Sequence, residues 1–365
     1  MSGIYILILG FFTAFVVVLF SMPSLIKVAK LKHLVDTPSE DRKLHRWSIP
    51  TLGGVVIYGA IIFSYTLWFP EGYDHINGAL VNFKYIIACL LLLFFVGIKD
   101  DIIGTAPMKK LIAHIVVGFI LVIMADIRIQ SLHGIFGIEK PLELWQSYSL
   151  TIFVYIVIIN SINLIDGLDG LAGLISLLSS FLFGALFYYS GNIPLSLLAM
   201  VLCGTMFGFI AFNFAPARVF MGDAGSLSIG VIFCVLAINA INEDFSKSPE
   251  WISQLNKPIL AMSILVYPLL DTLRVFSVRI FRGLSPFKAD KNHIHHYFES
   301  LGIGHGEISF LLFIFSALVV IFQLFIQLYF HFSSPTFLLI IQIVFSSCLI
   351  SLLYLLVKKI HTSSK

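Results

Sequence analysis

Two aspartates, Asp166 and Asp169, stand in the otherwise apolar run NSINLIDGLDGLAGL (residues 160–174), and the nearest Lys and Arg along the chain are Lys140 and Arg218. Charged groups near lipid are costly and normally occur with a partner, so this pair calls for a cation or a polar ligand. Asn160 and Asn163 are three residues apart, as are Asp166 and Asp169, and each pair can share a helical face. Gly167, Gly170 and Gly173 repeat at the same interval. They would admit a second helix or a ligand close to the backbone. The run is either a ligand site or a small-residue packing seam that carries two acids.

Three further stretches have comparable chemistry. In GIKDDIIGT (97–105), Asp100 and Asp101 follow an apolar run. Neighbours on a helix point about 100° apart, so the two need not share one ligand. They read as a solvated helix terminus or as a carboxylate pair at a phosphate or Mg²⁺ site. In NFAPARVFMGDAGSLSIG (213–230), Asp223 is flanked by Gly222 and Gly225. It is either a helix cap or an acid with room beside it for phosphate and metal. Mg²⁺ takes one or two protein carboxylates and completes its octahedron with phosphate oxygens and water. SPFKADKNHIHH (285–296) gathers Lys288, Lys291, His293, His295 and His296. Zinc would need a closed set of N and S ligands, and no Cys is near. Basic and imidazole donors suit a pyrophosphate better. RKLHR (42–46) serves either topology or anionic headgroups.

The elements that must position these residues are helices in a membrane. Of 365 residues, 58% are hydrophobic and 12% charged, about half the charge of a soluble domain, and mean hydropathy is +0.97. Apolar runs of roughly 17–25 residues, each long enough to span a bilayer core of about 30 Å, recur throughout. Met1–Phe20 lacks a basic n-region and reads as a retained first helix rather than a signal peptide. Cys89, Cys203, Cys234 and Cys348 lie in apolar runs without a CxxC pair and read as small buried hydrophobes.

The fold class expected is therefore an all-α polytopic bundle of about 11 transmembrane helices. They fall near 3–22, 51–70, 84–98, 109–126, 149–163, 170–190, 194–213, 224–241, 258–278, 308–330 and 336–357. The alternating loops then divide the 23 Lys and Arg unequally. Lys84, Arg128, Lys140, Lys247 and Lys257 fall on one side and the other eighteen on the opposite side. The positive-inside rule puts the richer side in the cytoplasm, with the N-terminus outside and the C-terminus inside. All the polar motifs fall on that face, and the outer loops hold nothing comparable. The expectation is one catalytic domain over 1–365, its site built from loops 36–54, 99–110, 160–173, 213–226 and 279–307. A transporter would place its acids near the midplane, on broken helices in related repeats. Neither an inverted repeat nor midplane acids are evident.

Taken together, the DD pair, NxxNxxDGxDGLA, FMGDxGS and HIHH resemble the polyprenyl-phosphate N-acetylhexosamine-1-phosphate transferases, in that family's order and over about residues 36–296. The HIHH tract is similar to the branch that uses UDP-N-acetylglucosamine rather than UDP-N-acetylmuramoyl-pentapeptide; the galacto epimer is another donor of the same class. The resemblance implies attack by undecaprenyl phosphate on the β-phosphorus of the UDP-sugar, with release of UMP. It also implies Mg²⁺, with Mn²⁺ as an alternative, held by Asp223 with help from Asn163. Asp100 and Asp101 would face the lipid phosphate, and His293, His295 and His296 the pyrophosphate. Asn160, Asp166, Gly167 and Asp169 match the nucleotide pocket, with Asp169 on the uracil N–H and Phe220 stacked on the ring. Lys288 and Lys291 would set sugar choice, while Lys43 and Arg46 would assist the lipid phosphate or the nucleotide. The expected setting is the bacterial inner membrane with the site facing the cytoplasm. A homodimer is compatible with this reading, and no nucleic-acid partner is expected.

Overall fold

The computed structural model describes residues 3–32, 34–36, 49–70, 76–246, 248–281, 283, 293–330 and 334–363. Its long helices are α1 (Gly3–Leu31), α2 (Gly53–Leu67), α3 (Ile76–Ile103), α4 (Pro107–Phe119, continued by a π turn to Met124), α5 (Leu144–Leu164), α6 (Leu171–Ser190), α7 (Ile193–Asn213) and α8 (Gly222–Asn242). There follow the short α9 (Glu250–Ser253), α10 (Lys257–Ile264), α11 (Val266–Phe281), α12 (Ile294–Glu299), α13 (His305–Tyr329) and α14 (Pro335–Ser363). One antiparallel pairing, β1 (Val35–Asp36) with β2 (Ile49–Pro50), is the sheet structure among the described residues. Each of the eleven apolar segments contains a helix, and the chain is an all-α, multi-pass membrane protein. Among the described residues, eight helices are long and apolar enough to cross a bilayer, or nine if a bent pair is one span.

That bent pair departs from expectation. The segment 258–278 is not one straight span but α10 and α11, set at 84° to each other. Pro268 sits in the first turn of α11. It has no N–H to donate to Ile264 and its ring crowds that carbonyl, so the helix restarts in a new direction.

Burial sorts the helices by role. In α8, 89% of the apolar window is buried, against 11% in α14. Helix α8 is the axis on which α2, α3 and α5 pack, while α14 shows Phe337, Ile340, Val344 and Leu352 to its surroundings. Close approach at the α8 start needs residues without side chains. A Cβ on Gly54 would lie 2.1 Å from Gly225 N, and one on Gly97 would lie 2.4 Å from Ala224 N. Cys89, Cys203 and Cys234 are buried as expected, but Cys348 is exposed because it lies on lightly covered α14.

Candidate active site

The site begins with a reversal. Helix α3 ends just after Asp100 and Asp101, and α4 starts at Pro107, whose fixed φ suits a first helical position. The reversal brings Lys110, on the first turn of α4, back to Asp100: its Nζ donates to Asp100 Oδ2 at 2.7 Å. The same ammonium donates to Asp223 Oδ2 at 2.5 Å. Asn163, at the end of α5, donates from Nδ2 to Asp223 Oδ1 and to Ser226 Oγ, both at 2.9 Å. The ends of α4, α5 and α8 thus meet on the Asp223 carboxylate, and α3 joins them through Asp100 and Lys110.

Asp101 turns the other way. Its Oδ1 and Oδ2 accept from the backbone N–H groups of Asp223 at 2.7 Å and Ala224 at 3.1 Å. These are orphan donors of the α8 N-terminus, where a negative charge is also favoured by the helix dipole. The cap of α8 is therefore Asp101, contributed by α3, and Asp223 is left to face Lys110 and Asn163. Gly222 makes this fit. Its φ is +70°, and a Cβ there would meet Thr51 O at 2.1 Å and Asp101 Oδ2 at 2.7 Å. The loop before it is clamped by Phe220 N to Pro50 O (2.8 Å) and by Gly54 N to Met221 O (2.7 Å). Phe220 is half-buried at this clamp.

Asp166 lies in the turn between α5 and α6, against the Gly222 N–H and close to Asp223 and Asp101. Burial raises its carboxyl well above the usual range. The two neighbouring acids push the same way, and the Gly222 N–H opposes them. Asp169 is 5% exposed. Its Oδ2 accepts from Ala217 N at 3.0 Å, and its Oδ1 lies 3.4 Å from His305 Nδ1. The structure thus places Asp169 on the loop before α8 and on the start of α13. Asn160 lies one turn deeper than Asn163, donating to Ile156 O at 2.7 Å and 3.4 Å from His114 Nδ1. The glycine series packs closely at Gly170 and Gly173, where a Cβ would press on Phe214 and Ile210, whereas one on Gly167 would lie in ordinary contact 3.4 Å from His295 Nε2.

The histidines cluster beside Gly167, with the His293 and His295 rings parallel and His296 tilted against them. Ring centroids are 5.4 Å apart for His293 and His295, and 4.3 Å for His295 and His296. Asp271 on α11, fully buried, accepts from His293 Nδ1 at 2.6 Å and from Ile294 N at 2.7 Å. Glu299 accepts from His296 Nδ1 at 3.0 Å and lies 3.5 Å from His305 Nε2. Burial pushes the His295 imidazole down to about 3, helped by the other histidines and opposed by Asp271. It is a neutral ring near pH 7.

Of the residues singled out by sequence, Asp100, Asp101, Asn163, Asp166 and Asp223 come together, with Gly167 and His295 adjoining. Lys43, Arg46, Lys288 and Lys291 lie outside the described residues. Lys110, Asp271, His114 and His305 were missed as site residues. Lys110 did carry a signal, since it lies in the 99–110 loop, but a lone cation there also serves topology. No group of three or more His, Cys, Asp or Glu forms a metal cage among the described residues. The donors present, Asp223 with an amide and neighbouring carboxylates, suit a hard cation that leaves most positions to water and phosphate.

The chain matches the family described as Glycosyl transferase family 4 over residues 83–241. It is similar to the undecaprenyl-phosphate alpha-N-acetylglucosaminyl 1-phosphate transferase of Yersinia pestis, with 30% identity over 291 residues, 78% of this chain and 75% of that one. The protein of the same name from Escherichia coli K12 is 29% identical, covering 76% and 72% of the two chains. The decaprenyl-phosphate N-acetylglucosaminephosphotransferase of Mycobacterium leprae is 27% identical, covering 76% and 73%.

Proposed function

This chain belongs to glycosyl transferase family 4, and from that premise we propose that it transfers N-acetylglucosamine 1-phosphate from UDP-N-acetylglucosamine to undecaprenyl phosphate. An oxygen of the lipid phosphate forms a bond to the β-phosphorus, the bond from that phosphorus to the bridging oxygen breaks, and UMP leaves. The product is undecaprenyl-pyrophosphoryl-N-acetylglucosamine, the first intermediate of a surface glycan. The relatives' names support the transferred N-acetylglucosaminyl 1-phosphate group and the undecaprenyl-phosphate acceptor. One observation carries the chemistry: Asp223 is held between Lys110 and Asn163, with Asp100, Asp101 and Asp166 around it.

We assign Mg²⁺ to Asp223, with Asn163 as its neighbour in the site and Mn²⁺ as a substitute. The fit is supported by Lys110, whose ammonium already sits between two carboxylates as a cation would. Bound there, the ion would draw charge from the phosphoryl oxygens as the transition state forms. The protein's own groups do the rest. Asp101 fixes the start of α8 and so the position of Asp223. Asp100 faces the acceptor; a phosphate monoester is largely ionised near neutral pH, so its work is positioning more than proton removal. The histidines line the pyrophosphate, with His295 as a neutral hydrogen-bonding ring. The active end faces the cytoplasm of a bacterial inner membrane, in line with the basic-residue asymmetry and with a soluble nucleotide donor.

The test is purified protein with Mg²⁺, undecaprenyl phosphate and a panel of radiolabelled UDP-sugars. UMP release should be fastest with UDP-N-acetylglucosamine. A faster galacto epimer or muramoyl-pentapeptide donor would move the sugar assignment, and no release from any UDP-N-acetylhexosamine would overturn the reaction.

A further inference from the structure

Both carboxylate oxygens of Asp223 are engaged. Oδ1 accepts from Asn163 at 2.9 Å and Oδ2 from Lys110 at 2.5 Å. Lys110 holds Asp100 Oδ2 in the same grip at 2.7 Å. A cation that binds Asp223 through Oδ2 must therefore take the place of this ammonium. We propose that Lys110 is an exchangeable counter-cation of the metal site: it occupies the seat between Asp100 and Asp223 until a divalent ion displaces it. This rests on the assignment of Mg²⁺ to Asp223.

The physical case has three parts. Asp100, Asp101 and Asp223 crowd one end of the bundle, and without a cation the repulsion among them is uncompensated. One ammonium relieves part of that repulsion, while a divalent ion bound at the same distance gains about twice the Coulomb attraction. Exchange is also mechanically simple. Lys110 sits on the first turn of a helix anchored by Pro107, and its side chain is 23% exposed. A flexible four-carbon stem can withdraw while the backbone stays in place. The displaced ammonium then remains within reach of the site, where a compact positive charge suits a phosphate oxygen.

The exchange is read without turnover, by Mn²⁺ binding in electron paramagnetic resonance and by thermal unfolding in detergent with EDTA or Mg²⁺. Lys110→Met should bind Mn²⁺ at least about tenfold more tightly than the wild type, because a competing charge is gone. It should unfold at a lower temperature than the wild type in EDTA and recover the difference in Mg²⁺. Lys110→Arg should keep the metal-free stability. Equal or weaker Mn²⁺ binding by Lys110→Met would overturn the proposal. So would a loss of stability that Mg²⁺ does not reverse, which marks an ordinary structural ion pair. If Lys110→Met folds only with metal, purification in Mg²⁺ followed by Mn²⁺ displacement gives the same comparison. UMP release with no effect of Lys110→Met on Mn²⁺ affinity would sink the exchange alone; exchange without UMP release would sink the assigned reaction alone.

Discussion

The two ends of this bundle treat polar groups in opposite ways. At the end opposite the site, loops are tied by hydrogen bonds that close on themselves. Arg128 pairs with Asp126 at 2.6 Å and reaches Ser147 at 3.1 Å. Asn242 donates to Arg128 O at 2.7 Å and accepts from Gln130 N at 3.2 Å. His133 Nε2 lies 2.9 Å from Ile241 O, Asn256 donates to His133 O, and Lys257 Nζ donates to Glu243 O. At the site end, four aspartates gather near one bridging lysine. The first arrangement is tied by bonds made within the protein. The second holds an excess of negative charge whose natural complement is a cation, which is why a polar cluster alone does not mark function and an unbalanced one does.

Substitutions at the two ends should separate along this line. The largest effect belongs to Asp223→Asn, which keeps the shape and removes the charge. UMP release should fall at least about 10³-fold, on the scale seen when one preorganised electrostatic contact is lost, with little change in unfolding temperature. A variant that retains more than a tenth of wild-type turnover would show that Asp223 is not the metal's carboxylate. Gly222→Ala comes next. The new Cβ would be forced against Thr51 O and the Asp101 carboxylate at a φ of +70°, which should cost about 2–4 kcal/mol. Thermal unfolding measures it, and a loss below about 0.5 kcal/mol would mean that the clamp on α8 gives way easily.

How much of this could be read from the chain follows from the range of each signal. The eleven apolar segments were legible because hydrophobicity is local, and each contains a helix. The gathering of Asp100, Asp166 and Asp223 was legible because alternation of spans puts their helix ends on one face. Helical geometry allowed Asp100 and Asp101 separate partners, but the shared role toward the lipid phosphate did not foresee Asp101 on the α8 backbone. What stayed hidden depends on pairs distant in sequence. Lys110 meets Asp223 across 113 residues and Asp271 meets His293 across 22, and neither contact leaves a periodic trace. The helix-cap reading of Asp223 found the right feature on the wrong residue, since the cap arrives from α3. The closed network at the opposite end was overlooked because its partners are largely backbone carbonyls, which every residue carries. The 84° bend at α10 and α11 shows in Pro268 only as a break, not as an angle.

An intermediate effect concerns pH. His295 is held neutral by burial, with its imidazole pushed down to about 3, while the unfolded chain titrates near its ordinary 6.5. Below that value the unfolded state binds a proton that the folded state refuses, so stability is full above about pH 6.5 and falls as pH drops toward 3. Between pH 7 and pH 5 this one group should remove about 2 kcal/mol. His293, His296, His305 and Asp271 surround it, so the measurement is the difference between wild type and His295→Phe. The variant should lose less stability on acidification; equal slopes would show that His295 is protonated in the folded protein.

The smallest effect tests the closed end. Asn242→Ala removes the donor to Arg128 O and the acceptor of Gln130 N, which should cost about 1–2 kcal/mol. Its partners there are backbone groups of the adjoining loop, far along α8 from Asp223, so the loss should appear only as a lower unfolding temperature. UMP release per folded molecule and Mn²⁺ affinity should both match the wild type. A fall in either at unchanged folded fraction would mean that the two ends communicate along α8, whose first turn carries Asp223 and whose last residue is Asn242. In that case the closed end would not be a passive tie, and the contrast between the ends would have to be redrawn as one of coupling through a buried helix.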